Sequence, residues 1–267
     1  MGHTRLGEIP KSRKWKDVVA FMTNAEFVSS NPVFRDEVEM IAVRTLDAAE
    51  TGIEKALDDL GLRYSFYLLT QLALASREDN WEKKLTENQI NVSRLNSTFE
   101  LITEIQTAID DYIFENGRAT DISEMAQQSI GETISKLVEP KANTLFGSGK
   151  EEIQSAIKSL STKKGFADLG QKFFGHFMTH YLNFFLSRVT AAQVGTGRFR
   201  SVEDVTKFNQ VLQTHCEQTA KIVRDYCGEW YSKTEYMKGI DLENTSEFIS
   251  VALKKLKSEL KKQKFKT

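Results

Sequence analysis

The sequence predicts an all-α fold, about eight or nine helices packed around a buried helix at 165–195, and three observations carry that prediction. Apolar residues recur with the 3.6-residue helical period along most of the chain. The 267 residues include only 3 prolines and few runs of Val, Ile and Thr, which argues against a β-rich fold. Between Lys172 and Arg188 lie 15 residues with no formal charge. There Phe173, Phe174, Phe177, Met178, Tyr181, Leu182, Phe184, Phe185 and Leu186, with Val189 just beyond, leave little room for a polar face. A helix apolar all round is a buried helix. This one is shorter than the roughly 18–20 residues a membrane span needs, so it reads as the interior of a soluble domain.

The chain is long enough to bury a real core, and 40% apolar with 27% charged residues is ordinary for a globular protein. Seventeen phenylalanines exclude disorder over the whole length. A single domain over 1–267 is expected, with a two-lobe division placed near 140–150.

The opening RLGEIPKSRKWKDVVAFM is a basic loop that turns helical near Ser12. Asn31-Pro32 starts a second helix, since a capping side chain precedes a proline in the first turn. Phe34, Val38, Ile41, Ala42, Leu46, Ala49, Ile53, Leu57 and Leu60 follow its period, Gly52 marks a kink, and Gly61 is expected as the C-cap. Residues 63–77 form another buried helix, and Asp79 caps a short one through Trp81 and Leu85. A turn at 91–96 precedes an amphipathic helix carrying Phe99, Ile102, Ile105, Ile109, Tyr112 and Ile113, ended near Gly117. Asn91-Val92-Ser93 fits a glycosylation pattern that matters only in a secreted protein. Thr120 or Asp121 caps the next helix, which Pro140 ends. The segment 140–150, with Gly147, Ser148 and Gly149, is a linker, and a helix at about 151–160 leads into the apolar one. After the loop at 195–200, Ser201 caps a long helix through Val205, Phe208, Leu212, Cys216, Thr219, Ile222, Val223 and Tyr226, ended by Gly228 or Gly239. The last helix, from about Thr245, has Ile249, Leu253, Leu256 and Leu260 on one stripe with lysines opposite.

Charge is unevenly placed. Residues 1–16 carry +4 and residues 254–267 carry +6, which leaves −11 on 17–253 within a total of −1. An acidic body with two basic ends speaks to partners and not to fold. Arg13, Lys14 and Trp15 at one end, and Lys254, Lys255, Lys257, Lys261, Lys262, Lys264 and Lys266 at the other, are the candidate partner-binding residues. Trp15 amid cations could stack on a base, although an aromatic anchor for the first helix is the plainer reading.

Catalytic signatures fail one by one. Gly147-Ser148-Gly149-Lys150 resembles the end of a phosphate loop, but Thr144 and Glu151 stand where Gly and Ser or Thr are required. His176 and His180 are spaced i, i+4 as zinc ligands can be, with His215 or Cys216 as a third donor, yet Phe177 replaces the glutamate of a zincin. Two interior histidines with ordinary partners is the plainer account. Glu100, Glu104, Asp110, Asp111 and Glu115 share one helix, but no second acidic pair matches them, so they read as a solvated face. No histidine has an arginine upstream at the spacing of helical ribonucleases, and no nucleophile–base pairing is legible. No catalytic residue, cofactor or metal is assigned. Cys216 and Cys227, the only cysteines, are about 16 Å apart if one helix carries both, too far for a disulfide. A cytoplasmic location is expected, since the N-terminus has no apolar signal region and Leu6 breaks a myristoylation motif.

The stretches RLGEIPKSRKW, FFGHFMTHYLNFFLSR and GEWYSK (228–233) resemble an all-helical bacterial protein family with no assigned function. The resemblance implies a bacterial, cytoplasmic origin and lends no catalytic residues. The expectation is a non-catalytic helical interaction subunit of a bacterial multi-protein assembly, with a protein partner and with homo-oligomerisation left open. The alternatives are a nucleic-acid-binding accessory factor of phage defence or DNA processing that uses the basic ends, and a metal-dependent hydrolase.

Overall fold

A computed structural model describes residues 9, 11–24, 33–49, 53, 56–93, 95–143, 149–195 and 199–263, with side chains through Glu259. The fold is all-α: among the described residues there are eleven helices of six residues or more and one single turn, more than the eight or nine expected. In chain order they are α1 (Arg13–Asn24), α2 (Phe34–Ala48), α3 (Leu60–Ala75), α4 (Trp81–Thr86), α5 (Thr98–Asn116), α6 (Asp121–Leu137), the turn α7 (Glu139–Ala142), α8 (Lys150–Lys158), α9 (Lys163–Gln193), α10 (Val202–Thr219), α11 (Lys221–Lys238) and α12 (Leu242–Gln263).

Helix α9 is the apolar stretch, starting at Lys163 with the Thr162 hydroxyl accepting from the Gly165 amide. It packs against α6, α10 and α11, and its C-terminal half also meets α1 and α2. Phe166, Phe173, Phe174, Phe177 and Tyr181 are all buried along it. Phe66 of α3 reaches three of these rings, lying 5.2 Å from Phe173, 5.3 Å from Phe174 and 6.0 Å from Phe166 between centroids. Phe248 of α12 stacks on Phe66 and Trp230 from the far side. Offset and edge-on pairs of this kind add to simple area burial.

Several boundaries differ from the expected ones. Asn31, Pro32 and Gly52 lie outside the described residues. Gly61 is not a C-cap but the second residue of α3, whose N-cap is Asp59. A Cβ at Gly61 would lie 2.5 Å from the Ser123 Cβ, so glycine there admits α6 and does not stop a helix. Asp59 Oδ1 accepts from the Leu62 amide at 2.8 Å, and Asp59 Oδ2 accepts from the Thr120 hydroxyl at 2.5 Å. Thr120 is itself the N-cap of α6, so one carboxylate joins two helix starts.

Asn80, not Asp79, precedes the short α4. Pro140 falls inside the turn α7, after α6 has ended at Leu137. The expected long helix after Ser201 is two helices, α10 and α11, hinged at Ala220. Gly228 is interior to α11, and Gly239 at φ +78 is its C-cap. Cys216 and Cys227 therefore sit on different helices, both buried and both free.

No helix among the described residues is long and apolar enough to cross a membrane.

Candidate functional site

Two features stand out once the chain is folded: a histidine pair closed on a carboxylate between α6 and α9, and the outer face of α5.

One turn of α9 separates His176 from His180, so both imidazoles leave the same face, toward α6. Glu132 of α6 meets both. His176 Nδ1 lies 2.6 Å from Glu132 Oε2, and His180 Nε2 lies 3.1 Å from Glu132 Oε1. Burial alone would raise the Glu132 pKa, but the two imidazoles outweigh it and hold the carboxyl at about 2. His176 is buried, whereas Glu132 is half-exposed, and the two contacts are ion-pair approaches: neither nitrogen of His176 nor His180 Nε2 meets hydrogen-bond geometry. Two donors around one zinc, each about 2.1 Å from the metal, would stand about 3.4 Å apart. The 2.6 Å approach is closer than that, so the groups have closed on each other. Among the described residues no group of three His, Cys, Asp or Glu is placed to hold a metal ion.

The donors expected to complete a metal site lie elsewhere. His215 is buried near Glu39 and Arg35, and burial pushes its pKa below the usual histidine range. Cys216 is buried beside Thr179, and burial raises its thiol to about 12, which removes nucleophilic character. A cleft of about 40 Å³ beside His180 is lined by Asp121, Glu124, Gln128, Asn183 and Phe184, which leaves room for a few waters and not for a substrate. Two larger clefts, about 420 and 480 Å³, share Arg77 and Glu235. That arginine is committed to Glu235, the Ser161 carbonyl and the Tyr231 hydroxyl.

The expected partner-binding residues divide. Trp15 is 2% exposed, with its ring 4.7 Å from that of Phe185, so it anchors α1 and offers no face to a base. Lys14 donates to the Asp47 carbonyl at 3.3 Å, while Arg13 is exposed. Lys254 and Lys255 are exposed on α12, with Lys255 Nζ 4.9 Å above the Tyr226 ring; Lys257 is half-buried. The side chains of Lys261, Lys262, Lys264 and Lys266 lie outside the described residues. Helices α1 and α12 both pack on α2.

Sequence reasoning placed Phe99 on the buried stripe of α5, and this is a correction. The buried stripe is Leu101, Ile105, Ala108, Ile109 and Ile113. Phe99 is 76% exposed and Phe114 is 89% exposed. At 100° per residue these two fall within about 60° of each other, on a face with Thr103, Thr107 and Asp110. The Thr103 hydroxyl donates back to the Phe99 carbonyl and the Thr107 hydroxyl to the Thr103 carbonyl, both at 3.0 Å. Both threonines are exposed. Phe114 carried a weak signal in the sequence: it lies about 100° from Ile113, away from the stripe of Leu101, Ile105 and Ile109.

No protein-family model matches the chain, and neither a curated protein nor a solved structure matches it.

Proposed function

We propose that this chain is a non-catalytic helical interaction subunit of a bacterial multi-protein assembly, and that the outer face of α5 binds its protein partner. One observation carries the reading: Phe99 and Phe114 are held in water on the same face of a regular, well-packed helix. Burying a phenylalanine contributes about 1.5–3 kcal/mol, so exposing two on one face forgoes a gain that a partner can supply. Single exposed apolar residues are common, but two phenylalanines 76% and 89% exposed on one helix face give a partner two anchors to cover. The Glu132–His176–His180 contact, with its groups closed on each other, and the small adjoining cleft support an interaction role over a hydrolytic one.

The nucleic-acid reading draws its support from the exposed Arg13, Lys254 and Lys255, without the stacking residue it had been given. Affinity purification of the tagged chain at native level separates the two. The wild type is expected to retain a stoichiometric protein, Phe99→Ser/Phe114→Ser to lose it, and Lys254→Glu/Lys255→Glu to keep it. Loss in the lysine variant with retention in the phenylalanine variant would move the function to the basic end.

A further inference from the structure

Resting on that reading, the surface of α5 also specifies the chemistry of its partner. Helix α5 carries Glu100, Glu104, Asp110, Asp111 and Glu115 and no Lys or Arg. Turned at 100° per residue, Glu100, Glu104, Asp111 and Glu115 align within about 60° as a second stripe, directly beside that of Phe99 and Phe114. Opposite the acidic stripe, α5 leans on α6, where Gln127 Nε2 donates to Asp110 at 2.7 Å. On its other side the acidic stripe meets the turn at 91–96, where Glu100 accepts from the Asn96 amide at 2.7 Å and Glu104 from the Asn91 amide at 3.3 Å. The exposed surface is therefore an apolar strip beside a carboxylate row that is open at Asp111 and Glu115.

Asp111 with Glu115 is a like-charge pair at i, i+4, an unfavourable arrangement in a lone helix, whereas Glu100 stands in the first turn, where the dipole favours an anion. Glu115 also stands in the last turn, where the helix dipole disfavours an anion and the turn itself holds no basic residue. Such a row repels a nucleic-acid backbone and an anionic membrane alike, and it suits a cationic protein surface. The two phenylalanines are 15 positions apart, about 22 Å along the axis, so an occupant that reaches both needs about four helical turns.

We infer that the α5 face binds a basic amphipathic helix of a partner protein, its apolar stripe seated on Phe99 and Phe114 and its cations against Glu100, Glu104, Asp111 and Glu115. The test uses two synthetic 20-residue helices that share one leucine stripe, one with lysines and one with glutamates on the polar face. Titrated into the full chain, the lysine helix is expected to bind and the glutamate helix not to. Binding should weaken severalfold between about 50 and 300 mM salt. Phe99→Ser/Phe114→Ser keeps every charge and should weaken binding at least tenfold, which distinguishes docking from diffuse attraction to an acidic body. Asp111→Lys/Glu115→Lys, at two exposed carboxylates, should reverse the preference toward the glutamate helix.

Unchanged preference after that reversal, or unchanged affinity after loss of both rings, would overturn the proposal. So would a wild-type dimer in light scattering that the phenylalanine variant dissolves, since a second copy would then own the face. Loss of the native partner from the phenylalanine variant without binding of the lysine helix would refute the partner chemistry and leave the interaction reading standing.

Discussion

Glu132 sits between two imidazoles on a neighbouring helix, and its depressed pKa has a consequence for stability. A carboxyl whose folded pKa lies below its unfolded value stabilises the fold above the unfolded pKa and ceases to as pH falls through the folded one. With a usual value of 4.5 and a folded value of about 2, the contribution is whole above about pH 4.5 and lost on the way to about pH 2. Urea titrations of wild type and Glu132→Gln should therefore differ most above pH 5 and converge toward pH 2. A constant difference across that range would mean that the carboxylate charge is not what matters. Protein purified without a histidine tag is expected to hold no stoichiometric zinc. Elemental analysis showing near one zinc per chain, abolished in His180→Ala, would contradict the closed contact. Phe177, 1% exposed on α9, should not tolerate aspartate: an unpaired buried charge costs several kcal/mol, so circular dichroism should show Phe177→Asp unfolded. The histidine spacing was legible because a helix fixes which residues share a face. Glu132 was not, because its partners are 44 and 48 positions away and only the packing of α6 on α9 joins them.

At the scale of elements, glycines separate close packing from loose. A Cβ at Gly228 of α11 would lie 2.5 Å from the Lys163 carbonyl oxygen of α9, a backbone atom that cannot swing aside. Gly228→Val is expected to lower stability by about 1–3 kcal/mol through overpacking. At Gly131 of α6 the nearest atom, Ile102 Cγ2, would be 3.4 Å away, which is ordinary contact. Gly131→Ala should therefore raise the melting temperature, since glycine costs about 1 kcal/mol in a helix interior. Equal effects at both sites would refute this view of the α9–α11 contact. Most helices were legible from their period, and so were the caps Thr120 and Ser201, while the caps Ser97 and Thr162 went unread. Glycine misled at both Gly61 and Gly228, because lack of a side chain serves a helix end and a helix crossing equally well. The hinge at Ala220 left no mark, as no breaker residue stands there. Phe99 was misplaced because a phenylalanine reads as core unless something requires it outside.

For the molecule as a whole, Phe166 and Phe174 of the 31-residue α9 join Phe66, Trp230 and Phe248 in one aromatic layer, and few charged groups, Asp59 and Asp204 among them, are buried. The all-helical class was readable from composition and period. How the helices assemble was not, since contacts such as Phe66 to Phe248 span most of the chain. The lysine-rich end gives a prediction at this scale. Ending the chain at Ser258 keeps the buried Ile249, Leu253 and Leu256 and removes the last cations, so the protein should fold unchanged. Partner retention should also persist if α5 is the docking face, and its loss would return function to the C-terminal helix.

The account turns on Phe99 and Phe114 facing a partner and not the core. The most direct test is the urea unfolding midpoint of the isolated Phe99→Ser/Phe114→Ser variant. A midpoint equal to or above that of the wild type is predicted, because neither ring is buried in the free protein. A drop of the size expected for a core phenylalanine, about 3 kcal/mol or more, would contradict it.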